Sequence, residues 1–178
     1  MHDFLFCNIK KMSDNDLVMR FLRDECCNHN HIKLSQILKF SDDEIEKYHD
    51  FIQWIFPTKR KSNYNFYAPT IDNNFKFIFQ EDVIAKRNYC KTCNLYLNYI
   101  GINCTLGSLN YTENKFRIFQ LPYHNYLRIT RVLDSLQCVG NGICSQKLFK
   151  LIEEIIKVNG NISPDVLNSF KYWKNTQI

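Results

Sequence analysis

The side chains best suited to bind a metal ion are cysteines and histidines in two short segments. One is Cys26-Cys27-Asn28-His29-Asn30-His31, and the other is the C-x-x-C pair of Cys90 and Cys93. Structural zinc takes four sulfur and nitrogen ligands in tetrahedral geometry, so a zinc site built from these segments is one interpretation. The C-x-x-C pair, however, falls on the apolar stripe of a predicted helix, where free cysteine behaves as a small core residue. We therefore predict no metal and no cofactor.

No catalytic arrangement is recognisable in the sequence. His49 and Asp50 are adjacent, so on a helix their side chains diverge by about 100° and cannot orient one another. The segment Thr105-Leu106-Gly107-Ser108 does not have the spacing of a phosphate-binding loop. The sequence therefore predicts that the protein is not an enzyme. The alternative is an enzyme or a nucleic-acid-associated protein that uses His124, Arg128 and Arg131.

Two predicted helices carry the residues that form the candidate binding site. A helix over residues 42–56 gathers Glu46, Asp50, Gln53 and Trp54 on one face, and its apolar face holds Ile45, Tyr48, Ile52, Ile55 and Phe56. A helix over residues 122–138 places His124, Arg128, Arg131 and Ser135 within an arc of about 60°. Its opposite side is apolar, with Tyr126, Ile129, Val132, Leu133 and Leu136. One helix thus has an acidic and aromatic face, and the other has a basic face.

These two faces allow two interpretations, both of which require them to lie opposite each other. In the first, the carboxylates pair with the arginines inside the domain and Trp54 stacks on a guanidinium, because buried charges are rarely unpaired. In the second, the faces line a groove in which the carboxylates bind a peptide amine and Trp54 and Tyr48 receive aromatic side chains. The candidate ligand-binding residues are then Glu46, Tyr48, Asp50, Gln53, Trp54, His124, Asn125, Arg128 and Arg131.

Hydrophobic periodicity predicts helices along most of the chain. The clearest start is the capping-box pair of Ser41 and Glu44, and Pro57 ends that helix. Further helices are predicted from residue 17 towards residue 28 and over residues 32–40, 73–79, 81–100, 122–138, 145–159 and from 164 towards the C-terminus. The predicted stripe of the 81–100 helix is Val83, Cys90, Cys93, Leu97 and Ile100.

The remaining segments are predicted to be irregular. Residues 57–71 are expected to form an extended surface connection, whose Lys59-Arg60-Lys61 triplet we interpret as a solvated loop. Residues 101–121 contain a brief extended strip at Phe116, Ile118 and Leu121. The sequence predicts an all-α fold in a single domain over residues 1–178, with a core from about residue 13 to 175 and about six to eight helices around an irregular middle segment.

Composition agrees with one folded domain inside the cell. The chain has 178 residues, of which 45% are hydrophobic and 15% aromatic, and this excludes a disordered polypeptide. A net charge of +5 spread along the chain does not require a nucleic acid, so we do not expect one as partner. The apolar stretch from Phe4 to Cys7 is too short for a signal peptide, and no run spans a bilayer. We expect a soluble, cytoplasmic or nuclear protein with reduced thiols.

Two segments resemble the opioid growth factor receptor conserved region. Residues 40–69, FSDDEIEKYHDFIQWIFPTKRKSNYNFYAP, contain the IQWIFP run typical of that family, and residues 124–136, HNYLRITRVLDSL, are similar to its HNNLRITRILKSL segment. The resemblance covers about residues 16–175. It implies an all-helical domain without catalytic residues. In animals, similar proteins are associated with perception of the enkephalin pentapeptide, a nuclear or perinuclear location and growth regulation. The resemblance therefore predicts a module that binds a short peptide or another protein.

Overall fold

The structure is a computed structural model that describes residues 12–105, 108–111, 117–159 and 162–177. Within these ranges it contains ten helices and one two-stranded hairpin, which confirms the all-helical prediction apart from the hairpin. No described helix has the length and apolar character needed to cross a membrane. The elements are α1 (Asp14–Leu22), α2 (Leu34–Ile37), α3 (Asp42–Lys47), α4 (Ile52–Ile55), α5 (Phe75–Glu81), α6 (Val83–Tyr99), β1 (Ile102–Thr105), β2 (Ser108–Tyr111), α7 (Arg117–Gln120), α8 (His124–Cys138), α9 (Gly142–Asn159) and α10 (Pro164–Asn175).

Short polar side chains begin several of these helices. The predicted capping box is confirmed at α3, because the Ser41 hydroxyl accepts from the Glu44 amide and the Glu44 carboxylate accepts from the Ser41 amide. Ser13, Asp82 and Ser163 cap α1, α6 and α10 by accepting from a backbone amide in the first turn. These bonds satisfy amide groups that a helix start otherwise leaves unpaired.

The single helix predicted over residues 42–56 is wrong, because the chain breaks between α3 and α4. Tyr48 has extended backbone, with φ −89° and ψ 132°, and helical structure resumes only at Ile52. The break turns six consecutive residues inward. All residues from Phe51 to Phe56 are 7% exposed or less, whereas one face of a continuous helix buries only part of such a run.

The middle of the chain also differs from its prediction. β1 and β2 pair antiparallel, with Ile102 opposite Tyr111. The extended strip expected further on is wrong, because Ile118 is buried in α7 and Leu121 lies in the bend after it. Phe116 lies outside the described residues.

The predicted apolar stripe of α6 is buried only in part, at Leu97 and at Ile100 directly after the helix. Val83 is 72% exposed and Cys90 is exposed, whereas tyrosines provide much of the packing. Tyr89 donates to the Ser135 hydroxyl at 3.0 Å and Tyr96 to the Asn125 carbonyl at 3.2 Å, so their rings are buried with the hydroxyls satisfied. The buried residues of α6 are Ala85, Asn88, Tyr89, Thr92, Tyr96, Leu97 and Tyr99.

Helix α8 lies at the centre of the core. Its predicted apolar side is confirmed, since Tyr126, Ile129, Val132, Leu133 and Leu136 are all buried. It packs against α9 and α10, and the fully buried Trp173 of α10 donates to the Tyr126 carbonyl at 3.1 Å. The predicted basic side of α8 is therefore the side that remains for contact with the segment around α3 and α4.

Candidate functional site

Arg128 joins the basic side of α8 to the end of α3. It is 4% exposed, and its guanidinium donates to the carbonyls of Ile45 at 2.9 Å and Tyr48 at 2.8 Å. The last carbonyls of a helix lack partners within the helix and carry partial negative charge, so a cation stabilises them. The two segments that carry the predicted faces therefore lie against each other.

The partners within this contact differ from the prediction. Arg128 binds backbone carbonyls instead of a carboxylate, because the break after α3 leaves those carbonyls available. The ring beneath its guanidinium is Phe51, at 5.8 Å, and not Trp54. The predicted pairing of Glu46 or Asp50 with an arginine, with Trp54 stacked on it, is wrong on both points.

Glu46 forms a separate network beside Arg128. Its carboxylate accepts from the Tyr99 hydroxyl and from the Asn125 amide at 3.0 Å, and lies 2.9 Å from His124 Nε2. Burial alone would raise the pKa of Glu46, but these hydrogen bonds and the nearby positive charges hold it below its usual value. The carboxylate is therefore ionised at neutral pH and is already bonded within the domain.

The pKa of His124 is also lowered, and for an imidazole this favours the uncharged form. Burial and the neighbouring Arg128 lower the pKa of His124, and the attraction of Glu46 does not fully offset them. Its ring also packs edge-on against His49, with the centroids 4.7 Å apart. At neutral pH the imidazole is mostly uncharged.

A groove lies between this part of α8 and the chain from His49 to Tyr64, with a volume of about 370 Å³. Five of the predicted site residues line it: Asp50, Gln53, His124, Arg128 and Arg131. Sequence reasoning missed the other lining residues, which are His49, Ile52, Lys61, Ser62, Asn63, Tyr64 and Leu127. We call this site the cationic groove, because Lys61, Arg128 and Arg131 line it with a single carboxylate.

Four predicted site residues do not line the cationic groove. Glu46 and Asn125 lie in the network behind it. Trp54 is 3% exposed, packs on Phe21 at 5.1 Å and donates to His29 Nδ1 at 3.2 Å. Tyr48 is 41% exposed and packs against Phe40 outside the groove.

Arg131 is a half-buried cation of the groove. Its Nε donates to the Phe56 carbonyl at 2.9 Å, and among the described residues its other nitrogens have no acceptor and no carboxylate lies within 4 Å. Burial lowers the pKa of Arg131 to about 10, so the group remains charged at neutral pH. A half-buried guanidinium with free donors can bind a carboxylate or another anion.

Exposed aromatic residues lie beside the groove, in residues 63–67, which we call the aromatic loop. Tyr64, Phe66 and Tyr67 are 79%, 72% and 77% exposed. Asn65 stabilises this loop with two hydrogen bonds. Its side-chain amide donates to the Asp50 carbonyl at 3.1 Å, and its backbone N–H donates to the Ser62 hydroxyl at 3.1 Å. Neighbouring exposed aromatics beside an arginine are typical of protein interfaces.

In the described part of the chain, residues 26–31 and the pair of Cys90 and Cys93 are not arranged to bind a metal ion. Over the described ranges, no group of three or more His, Cys, Asp and Glu side chains is placed to hold an ion. His29 accepts from Trp54, and His31 lies in a turn with φ 59°. The Asn28 side chain closes this turn by accepting from the Asn30 and Ile32 amides.

Comparison with known proteins identifies similar chains. Residues 11–177 match the family model described as the opioid growth factor receptor (OGFr) conserved region. The opioid growth factor receptor-like protein 1 of Xenopus tropicalis is 30% identical over 179 residues, covering 93% of this chain and 35% of that protein. The human opioid growth factor receptor is 29% identical over 104 residues, covering 55% of this chain and 15% of that protein. The chain thus spans about a third or less of the length of these relatives. No solved structure matches it.

Proposed function

This chain belongs to the opioid growth factor receptor conserved-region family, and on that premise we propose that it is a non-catalytic module that binds an acidic peptide segment in the cationic groove. The segment belongs to a short peptide or to an extended part of another protein. The observation that carries the proposal is the position of Arg131 and Lys61 beside the exposed Tyr64.

The charges of the groove favour an acidic ligand over a peptide amine. Glu46, which the sequence suggested for the amine, is engaged by Tyr99, Asn125 and His124 away from the groove. Asp50 is the one acidic residue among the described residues that line the groove. A carboxylate placed at Arg131 would instead accept from free donors of a half-buried cation, and hydrogen bonds between two charged groups are stronger than those between neutral groups.

A peptide fits the surroundings of Arg131 better than a nucleic acid does. The most buried cation of the groove, Arg128, is occupied by backbone carbonyls. The aromatic loop provides the ring surface that anchors protein segments. The human relative is named an opioid growth factor receptor and the Xenopus relative is named receptor-like, which supports a peptide or protein ligand. The seven free cysteines of the described residues support an intracellular location.

The test uses peptides selected from a random library on the full chain. Selected sequences should contain Asp or Glu beside an apolar residue, and calorimetry should show that Arg131→Gln weakens their binding at least tenfold. Arg87→Gln is the matched control, since it removes the same charge from an exposed position of α6 outside the groove. Tyr64→Ala should also weaken binding, whereas Tyr172→Ala, at an exposed tyrosine of α10, should not.

Three outcomes would overturn this function. Selected peptides that lack acidic residues, or that bind Arg131→Gln and Arg87→Gln equally well, would remove the groove as the binding site. Tighter binding of a mixed-sequence oligonucleotide than of any selected peptide, with a steep loss of affinity as salt is added, would favour nucleic acid instead.

A further inference from the structure

A second cavity, with a volume of about 270 Å³, lies between α6, the hairpin, α8 and the beginning of α9. It has no lining residue in common with the cationic groove. Its walls are formed largely by aliphatic side chains and cysteines, which come from five different elements. These are Leu97, Leu109, Val132, Leu136 and Leu148, with Cys90, Cys93, Cys104 and Cys144.

The cysteines make this wall apolar instead of reactive. Burial raises the pKa of Cys90, Cys93 and Cys104, so these groups are neutral thiols at neutral pH. The thiolate, and not the thiol, is the nucleophile and the metal ligand, and a neutral thiol behaves as a small apolar group. Across the part of the chain that the structure describes, the thiols are also not grouped as an ion would need.

Among the described residues that line the cavity, Lys147 is the only one with a charged side chain. It is exposed, and no carboxylate of the described residues lies within 4 Å of its ammonium group. Asn94 and Asn141 add amide groups to the lining. An apolar wall with a few polar groups is the usual composition of a small-molecule site.

The volume limits the size of the ligand. An apolar cavity of about 150 Å³ holds benzene, so about 270 Å³ corresponds to roughly ten non-hydrogen atoms. We propose that this cavity binds a small amphiphilic carboxylate, whose hydrocarbon chain contacts Leu136 and Leu148 and whose carboxylate pairs with Lys147. Octanoate has this size and charge and is the probe for the test.

The experiment measures protection of thiols on the full chain. Octanoate should slow alkylation of Cys90 and Cys144, the exposed cysteines of the lining, by N-ethylmaleimide in a saturable manner. Cys26 and Cys27 lie outside the lining and serve as internal controls whose alkylation should not change. Mass spectrometry of the digested protein measures each site separately.

Variants and a probe of opposite charge test each part of the site. Cys144→Trp should abolish octanoate binding by filling the cavity, whereas Ile143→Trp, at a residue that is 71% exposed and outside the lining, should bind normally. Octylammonium should need at least about a fivefold higher concentration than octanoate, and Lys147→Met should remove most of this difference.

Each part of the octanoate proposal has a result that would contradict it. Failure of octanoate to protect Cys90 and Cys144, or equal binding by Cys144→Trp, would overturn the cavity as a site. Equal protection by octylammonium would overturn the pairing with Lys147. Loss of octanoate binding in Arg131→Gln would place the ligand in the cationic groove instead, so this test is independent of the peptide proposal.

Discussion

Arg128 connects residues 40–69 with residues 124–136, the two segments that resemble the opioid growth factor receptor conserved region. A guanidinium offers five donors in a planar fork, so one side chain can bind several carbonyls at once. Here the fork binds the carbonyls of Ile45 and Tyr48 and the side chain of Asn125. Arg128 therefore replaces the capping residue that the end of α3 would otherwise need.

Removing this side chain should destabilise the domain strongly. We expect Arg128→Met to lower the free energy of unfolding by about 3 kcal/mol, because it leaves buried carbonyls without donors. Urea denaturation measures the loss. Arg87→Met, at an exposed position of α6, should change stability by less than about 0.5 kcal/mol. Equal stability of the two variants would contradict the role of Arg128.

The carboxylate of Glu46 makes a pH-dependent contribution to stability. Because its pKa is lower in the folded protein than in the unfolded chain, it stabilises the fold above its ordinary pKa of 4.5, and this contribution disappears as pH falls through the folded pKa. The stability difference between wild type and Glu46→Gln should be present at about pH 5.5 and should shrink below pH 4.5. A difference that stays constant down to pH 3 would contradict this network.

Sequence reasoning reached these residues but not their partners. The arc of His124, Arg128 and Arg131 was sufficient to predict which side of α8 meets the earlier segment, because helical spacing fixes that side. Whether an arginine binds a carboxylate or a carbonyl depends on where the neighbouring helix ends. That end, after Lys47, has no proline or glycine to mark it.

At the scale of elements, the break between α3 and α4 determines the shape of the groove. The apolar residues from Ile45 to Phe56 recur at helical spacing straight through the break, so periodicity alone predicts one helix. Tertiary contacts override it, because the inward turn buries Phe51 and Trp54 together. The tyrosines of α6 were missed for a similar reason: their rings are buried only because Ser135 and Asn125 provide acceptors.

Asn65 should be the residue that keeps this break and the aromatic loop in place. It is 4% exposed, and its side chain binds the Asp50 carbonyl. We expect Asn65→Ala to reduce the free energy of unfolding by about 1–3 kcal/mol, because that carbonyl loses its donor. Thermal and urea unfolding measure the change.

The adjacent Asn63 provides a matched control for Asn65. It is exposed and lines the same groove, and the structure gives its side chain no hydrogen bond. Asn63→Ala should therefore leave stability nearly unchanged. A loss of stability as large as that of Asn65→Ala would show that the loop is held by other contacts.

Over the whole molecule, the fold class could be predicted while the site could be predicted only in part. Periodic helices and their caps are local features, so the helical domain follows from short stretches of sequence. The groove requires Lys61 and Tyr64 to approach α8 across some sixty intervening residues. No local spacing encodes that approach, and for this reason the loop side of the groove was missed.

The central claim is that a ligand segment occupies the cationic groove formed where these distant parts meet. The direct measurement is an NMR titration of the full chain with an acidic peptide from the library selection, following the side-chain N–H signals of arginine, glutamine and tryptophan. The Arg131 Nε–H and Gln53 amide signals should shift in a saturable manner, while the indole signal of Trp173, a buried residue of α10 outside the groove, should not move. Saturable shifts confined to residues outside the groove, with the Arg131 signal unchanged, would contradict the claim.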